Sequence, residues 1–165
     1  MNKVLYIILI SLFSFTVFSC SDDKEEYSAT GTTDDTTTTD DTTTCDSTVS
    51  FVAVGPDGTI LTSSDNGISW CSRTAGISQS LFGITYGNST FVAVGANGTM
   101  LTSTDNTSWT TTGSGISNTL WGVIYGKSAF VVVGQTGTIL TSSDGISWTS
   151  RSSGTSSHLE DVISN

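Results

Sequence analysis

The sequence predicts an all-β protein built from three copies of one short unit. Three observations carry this. FVAVG at Phe51–Gly55 returns as FVAVG at Phe91–Gly95 and as FVVVG at Phe130–Gly134, a period of 39 to 40 residues. Each copy is followed by a Gly-Thr-[Ile/Met]-Leu-Thr-Ser run, starting at Gly58, Gly98 and Gly137. Only 12% of the 165 residues are charged, against 17 Gly and a single Pro. Such a composition disfavours a charged helical bundle and favours short strands joined by turns.

Each unit reads as four strands. LFGITYG (Leu81–Gly87) and LWGVIYG (Leu120–Gly126) are first strands. FVAVG is the second, GTILTS the third, and the stretch around Trp70, Trp109 and Trp148 the fourth. Gly, Asn and Asp between them are turn residues. FVAVG has no polar alternation, so it must be covered on both faces. Blades stacked around an axis give that cover, and so would a flat solenoid. A four-stranded unit of 40 residues favours a partial β-propeller. The boundaries are a repeat region over 49–165, with blades at about 51–80, 81–119 and 120–158 and an extra strand at 159–165.

The turn after the third strand is more specific. Ser63, Asp65, Gly67 and Trp70 match the S-x-D-x-G-x-[ST]-W pattern of the Asp box. Ser103, Asp105 and Trp109 repeat it, as do Ser142, Asp144 and Trp148, each with one residue fewer between Asp and Trp. The region 51–165 therefore resembles the Asp-box repeats of sialidase-like propellers, and also those of photosystem II assembly-factor propellers. The resemblance implies a structural box. Its Asp accepts backbone N–H bonds and closes a hairpin, and its Trp packs a ring between sheets. The alternative, a metal at the three Asp residues, is disfavoured because equivalent turns on successive blades do not converge. No metal or cofactor is expected.

A sialidase-like enzyme would, by the same resemblance, need an Arg triad and a Tyr-Glu pair. The whole chain has two Arg, and Glu160 is the sole Glu in the repeat region. Glu160 and Asp161 are adjacent in an expected strand and so point to opposite faces. That is a poor start for a carboxylate pair flanking one bond. His158, the only His, reads as a solvated loop residue. The chain is not expected to be an enzyme. The net charge of −10, with three Lys and two Arg, also argues against nucleic acid.

Residues 1–19 read as a signal peptide: Lys3, then the apolar run Val4–Phe18, too short to span a membrane comfortably. Val17-Phe18-Ser19-Cys20 resembles a bacterial lipobox, which implies cleavage before Cys20 and a lipid on its thiol. Acyl chains would tie the protein to a membrane. Ser21–Glu26 resembles a surface-export signal of Gram-negative lipoproteins, which places the protein on the outer membrane facing outward; a periplasm-facing protein is the alternative. Residues 20–48 are acidic and Thr/Asp-rich with no apolar periodicity, and read as a disordered linker. Asp35-Thr36-Thr37 and Asp41-Thr42-Thr43 resemble O-glycosylation acceptors, which implies glycans at Thr36 and Thr42. With Cys20 lipidated, Cys45 and Cys71 remain; an even pair in an exported domain reads as a disulfide, with two free thiols as the alternative.

Three blades leave open faces. Blade one lacks a first strand, and Leu159-Glu160-Asp161-Val162-Ile163 aligns with LFGIT. The segment could close blade one within the chain, be the start of a further blade in a longer protein, or complete a ring with a second copy by self-association through blade edges. Phe82, Trp121 and Glu160 share one position in their repeats and are the candidate ligand-binding residues. The favoured function is a non-catalytic surface lipoprotein whose propeller repeats bind a protein or a glycan. The alternatives are a sialidase-like glycoside hydrolase, or a fragment of one, and a periplasmic assembly factor.

Overall fold

A computed structural model describes Thr48 and residues 51–165. The signal peptide, Cys20, the linker, Thr36, Thr42 and Cys45 lie outside the described residues. Those residues carry eleven strands and no α-helix. In the first sheet β1 (Phe51–Val54), β2 (Thr59–Ser63) and β3 (Cys71–Thr74) lie in sequence order. The second sheet holds β4 (Leu81–Gly87), β5 (Thr90–Gly95), β6 (Thr99–Ser103) and β7 (Thr110–Gly113). The third holds β8 (Leu120–Gly126), β9 (Ala129–Gly134), β10 (Ile139–Ser142) and β11 (Thr149–Arg151). Every pairing is antiparallel.

The register repeats with the sequence. Ala93 faces Leu101 and Ile84, and Val132 faces Leu140 and Val123. Each second strand runs into the third through a single 3-10 turn, with Asp57, Asn97 or Thr136 at positive φ ahead of a glycine. That is the two-residue left-handed step that hairpins of this twist require.

The hydrophobic cores lie between blades. One cluster joins Ile60 of blade one to Leu81, Ala93 and Leu101 of blade two. The other joins Val92, Val94 and Met100 of blade two to Leu120, Phe130, Val132 and Leu140 of blade three. Strand β5 therefore sends Ala93 to the blade before it and Val92 and Val94 to the blade after it. This is why its sequence shows no polar alternation. Exposure follows the neighbours: Phe130 is fully buried, whereas Phe51, its counterpart in blade one, is 50% exposed.

Three details differ from the sequence reading. The fourth strands start just after the Trp residues, because the ring anchors the preceding turn. Trp70 is 41% exposed rather than packed between sheets. Its counterparts Trp109 and Trp148 pack into the clusters shared with the preceding blade, and blade one has no such neighbour among the described residues. Finally, residues 159–165 do not complete blade one, whose sheet keeps three strands, and Glu160 and Asp161 lie outside any strand. Leu159 instead donates its N–H to the Gly134 carbonyl at 3.0 Å, as Leu81 donates to Gly55 at 2.9 Å. The segment takes the place of a first strand that follows blade three.

A prediction follows from cores shared between blades. Phe130→Ala should cost about 3–5 kcal/mol, whereas Phe51→Ala should cost about 1 kcal/mol, half of its ring already being in solvent. Chemical denaturation of the two variants measures both.

Candidate binding face

The first strands of blades two and three come unusually close. A Cβ on Gly83 would stand 2.9 Å from the Trp121 carbonyl oxygen, so β4 reaches β8 only because residue 83 has no side chain. That approach sets residue 82 beside residue 121. The rings of Phe82 and Trp121 stack with centroids 4.6 Å apart and planes 36° from parallel. Phe82 is 43% exposed, and Trp121 is partly buried. The Trp121 Nε1 is buried and has no acceptor among the described residues.

Residues 159–165 extend the row. A Cβ on Gly122 would lie 3.1 Å from the Cα of Asp161, so the terminal segment stacks on β8 much as β8 stacks on β4. Glu160, exposed, thus follows Phe82 and Trp121 in repeat order. Stacked aromatic rings with a carboxylate at one end suit an extended chain that offers apolar or cationic groups.

The Asp boxes do other work. Asp65 accepts from the Ser69 hydroxyl at 2.6 Å, from the Ser69 N–H at 2.9 Å, from the Ser63 hydroxyl at 2.7 Å and from the Ile68 N–H at 3.0 Å. Asp105 accepts from the Ser108 and Thr107 N–H groups at 2.7 and 2.9 Å. Asp144 accepts from the Ser147 and Ile146 N–H groups, both at 2.8 Å. The two shorter boxes keep the same pair of bonds and move them one residue nearer the Asp. Box one takes up its extra residue by adding Gly67 at φ 87° after Asn66 at φ 63°.

These donors hold all three carboxyl groups well below the usual carboxylate range. The Ser69 hydroxyl leads at Asp65, the Ser108 N–H at Asp105 and the Ser147 N–H at Asp144. The Trp70 and Trp109 indoles donate to the carbonyls of Gly67 and Asn106 at 3.1 and 3.3 Å. The box of blade three is also part of a junction. A Cβ on Gly145 would lie 3.0 Å from Val92 Cγ2 of blade two, and Asn88 Nδ2 donates to the Ser143 carbonyl at 3.3 Å.

The remaining candidates are scattered. Arg73 and Arg151 occupy the same position on β3 and β11, and each donates from Nε to a Thr hydroxyl of the preceding strand, Thr62 and Thr141, at 2.9 Å. The sequence reading counted these Arg residues but missed the pairing, whose only signal was the shared repeat position. His158 is exposed, and its Nδ1 accepts the Thr136 N–H at 3.1 Å. Cys71 is buried and disulfide-bonded, and the cysteine it joins falls outside the described residues.

No family model matches the sequence, and no curated protein matches it. Solved structures do match the fold. YCF48 bound to a D1 peptide is similar at a TM-score of 0.53 and 20% identity, over 60% of this chain and 35% of that one. YCF48 from Cyanidioschyzon merolae is similar at a TM-score of 0.51 and 22% identity, over 60% of this chain and 32% of that one. This chain folds as part of a β-propeller. It spans about a third of the length of the YCF48 chains it matches, and at that identity the likeness concerns the fold.

The boxes generate a pH prediction. A carboxylate whose folded pKa is depressed contributes stability that is present above the unfolded value near 3.9 and is lost as pH falls through the folded value. Asp105→Asn should therefore lower the thermal midpoint clearly at pH 7. The gap from the parent protein should shrink steadily as the pH is taken below about 4. Thermal melts between pH 2 and 7 check this.

Proposed function

We propose that this protein is a non-catalytic binding module, displayed at the cell surface on a lipid anchor, which holds an extended protein segment against its first-strand face. The observation that carries the reading is the Phe82–Trp121 stack. Two large rings, one of them 43% exposed, stand side by side on neighbouring strands. An aromatic pair with one exposed ring on a rigid sheet loses little entropy when it contacts a partner, and such residues dominate binding energy at interfaces. A protein ligand is preferred to a glycan because a structure of similar fold is that of YCF48 bound to a D1 peptide. The anchor and outward display rest on Val17–Cys20 and on the acidic stretch Ser21–Glu26. The absence of catalysis rests on Arg73 and Arg151, which stand on separate blades and are engaged with Thr hydroxyls.

Selection of peptides from a random display library on the folded protein, with a glycan array in parallel, tests the reading. Peptides should be enriched. Phe82→Ala and Trp121→Ala should each weaken the selected peptides by roughly thirtyfold or more, the range of an interface hot spot. Enrichment of glycans alone, or peptide binding untouched by both substitutions in folded protein, would overturn the assignment. Turnover of fluorogenic glycosides would overturn the non-catalytic part.

A further inference from the structure

The row that carries the proposed function ends in a charge. Phe82, Trp121 and Glu160 hold one position in three successive repeats, and two close backbone approaches space them alike. A Cβ on Gly83 would stand 2.9 Å from the Trp121 carbonyl oxygen, and a Cβ on Gly122 would stand 3.1 Å from the Cα of Asp161. Glu160 therefore follows Trp121 by about the step at which Trp121 follows Phe82, and those two rings lie 4.6 Å apart. Trp121 has a neighbouring segment on each side and is still partly exposed. The position thus stays open to a ligand between two neighbours, and Glu160 is exposed.

Glu160 also has its charge to spare. The carboxylates of Asp65, Asp105 and Asp144 close their own turns, and Asp161 Oδ1 accepts the Val162 N–H at 2.8 Å. Glu160 makes no ion pair or hydrogen bond among the described residues. The described cations stand elsewhere. Arg73 and Arg151 lie on fourth strands and donate from Nε to Thr hydroxyls, and Lys127 follows the end of β8 opposite Trp121. The chain as a whole carries −10. A field of that sign draws cationic partners and repels anionic ones. The ring next to Glu160 in the row is Trp, the aromatic side chain that receives a cation best.

We propose that the segment held by this row is cationic: it seats an aromatic or large aliphatic side chain over Phe82 and Trp121 and sets a Lys or Arg, two residues along, against Glu160. The spacing fixes that interval. From the middle of the ring pair to Glu160 is one and a half steps, about 7 Å at the 4.6 Å ring spacing, against about 6.6 Å between side chains two residues apart in an extended chain. An interval of one residue puts the cation on the opposite face of the segment, and an interval of four overshoots Glu160 by about 6 Å. The inference rests on the reading of the row as a peptide site and adds to it a charge and an interval.

Peptide selection on the full-length protein tests it. Enriched peptides should carry Lys or Arg two residues from an aromatic or large aliphatic residue. The best of them is then made with that cation and with Met in its place. Both versions are titrated against the parent protein and against Glu160→Gln, a change at an exposed side chain. On the parent the cationic version should bind about fivefold more tightly, the upper range for an exposed ion pair, and the advantage should fade in about 1 M salt. On Glu160→Gln the advantage should vanish. Glu160→Lys should instead prefer a version with Glu in place of the cation, a reversal that a folding defect cannot produce. Enriched peptides that depend on Phe82 and Trp121 but lack a cation at that interval would overturn the inference and leave the binding row standing. So would an equal cationic advantage on the parent and on Glu160→Gln. Enrichment of no peptide at all would overturn both.

Discussion

The structure depends on one constraint: a second strand that is apolar on both faces is stable only between two other sheets. Val92, Ala93 and Val94 meet it fully, with Ala93 packed toward blade one and the two valines toward blade three. Blade one meets it on a single side, and its Phe51 and Trp70 remain in contact with water. The blades are thus unequal although their sequences are nearly equal. Stability in such an array is a property of junctions more than of the sheets themselves, as in other repeat proteins.

The same constraint shapes the candidate binding row. Packing second strands across two faces draws the first strands together, and the approach is close enough that Gly83 has no room for a side chain against the Trp121 carbonyl. Phe82 and Trp121 are stacked as a consequence. The Asp boxes act at the opposite end of each hairpin. They close the third-to-fourth strand turns with charge-assisted bonds and, at Gly145, fill part of the junction with the blade before. Boxes of two lengths reach one result because a second left-handed residue, Gly67, absorbs the extra position.

Much of the fold was legible because repetition multiplies weak signals. The three FVAVG copies, the glycines at Gly58, Gly98 and Gly137 and the Ser-Asp pairs identified strands two and three and the box turns. The aligned positions of Phe82, Trp121 and Glu160 identified the candidate row. What was not legible depends on neighbours. Trp70 matches the box pattern best of the three, yet its ring lies 41% exposed, because burial is set by an adjacent blade rather than by the motif. Leu159–Ile163 carries the pattern of a first strand but pairs with no second strand among the described residues, so its identity as a strand could not be decided locally. The Arg73–Thr62 and Arg151–Thr141 pairs join residues ten or eleven positions apart, and periodicity alone does not predict them.

Native-state hydrogen exchange tests the central claim, because it reads the stability of each strand separately. The account predicts the slowest exchange in β5, β6, β9 and β10, which line the shared cores, and markedly faster exchange in β1, whose outer face has no blade before it among the described residues. Equal protection of β1 and β5, or protection that peaks within blade one, would contradict the claim that each blade is held by its neighbours.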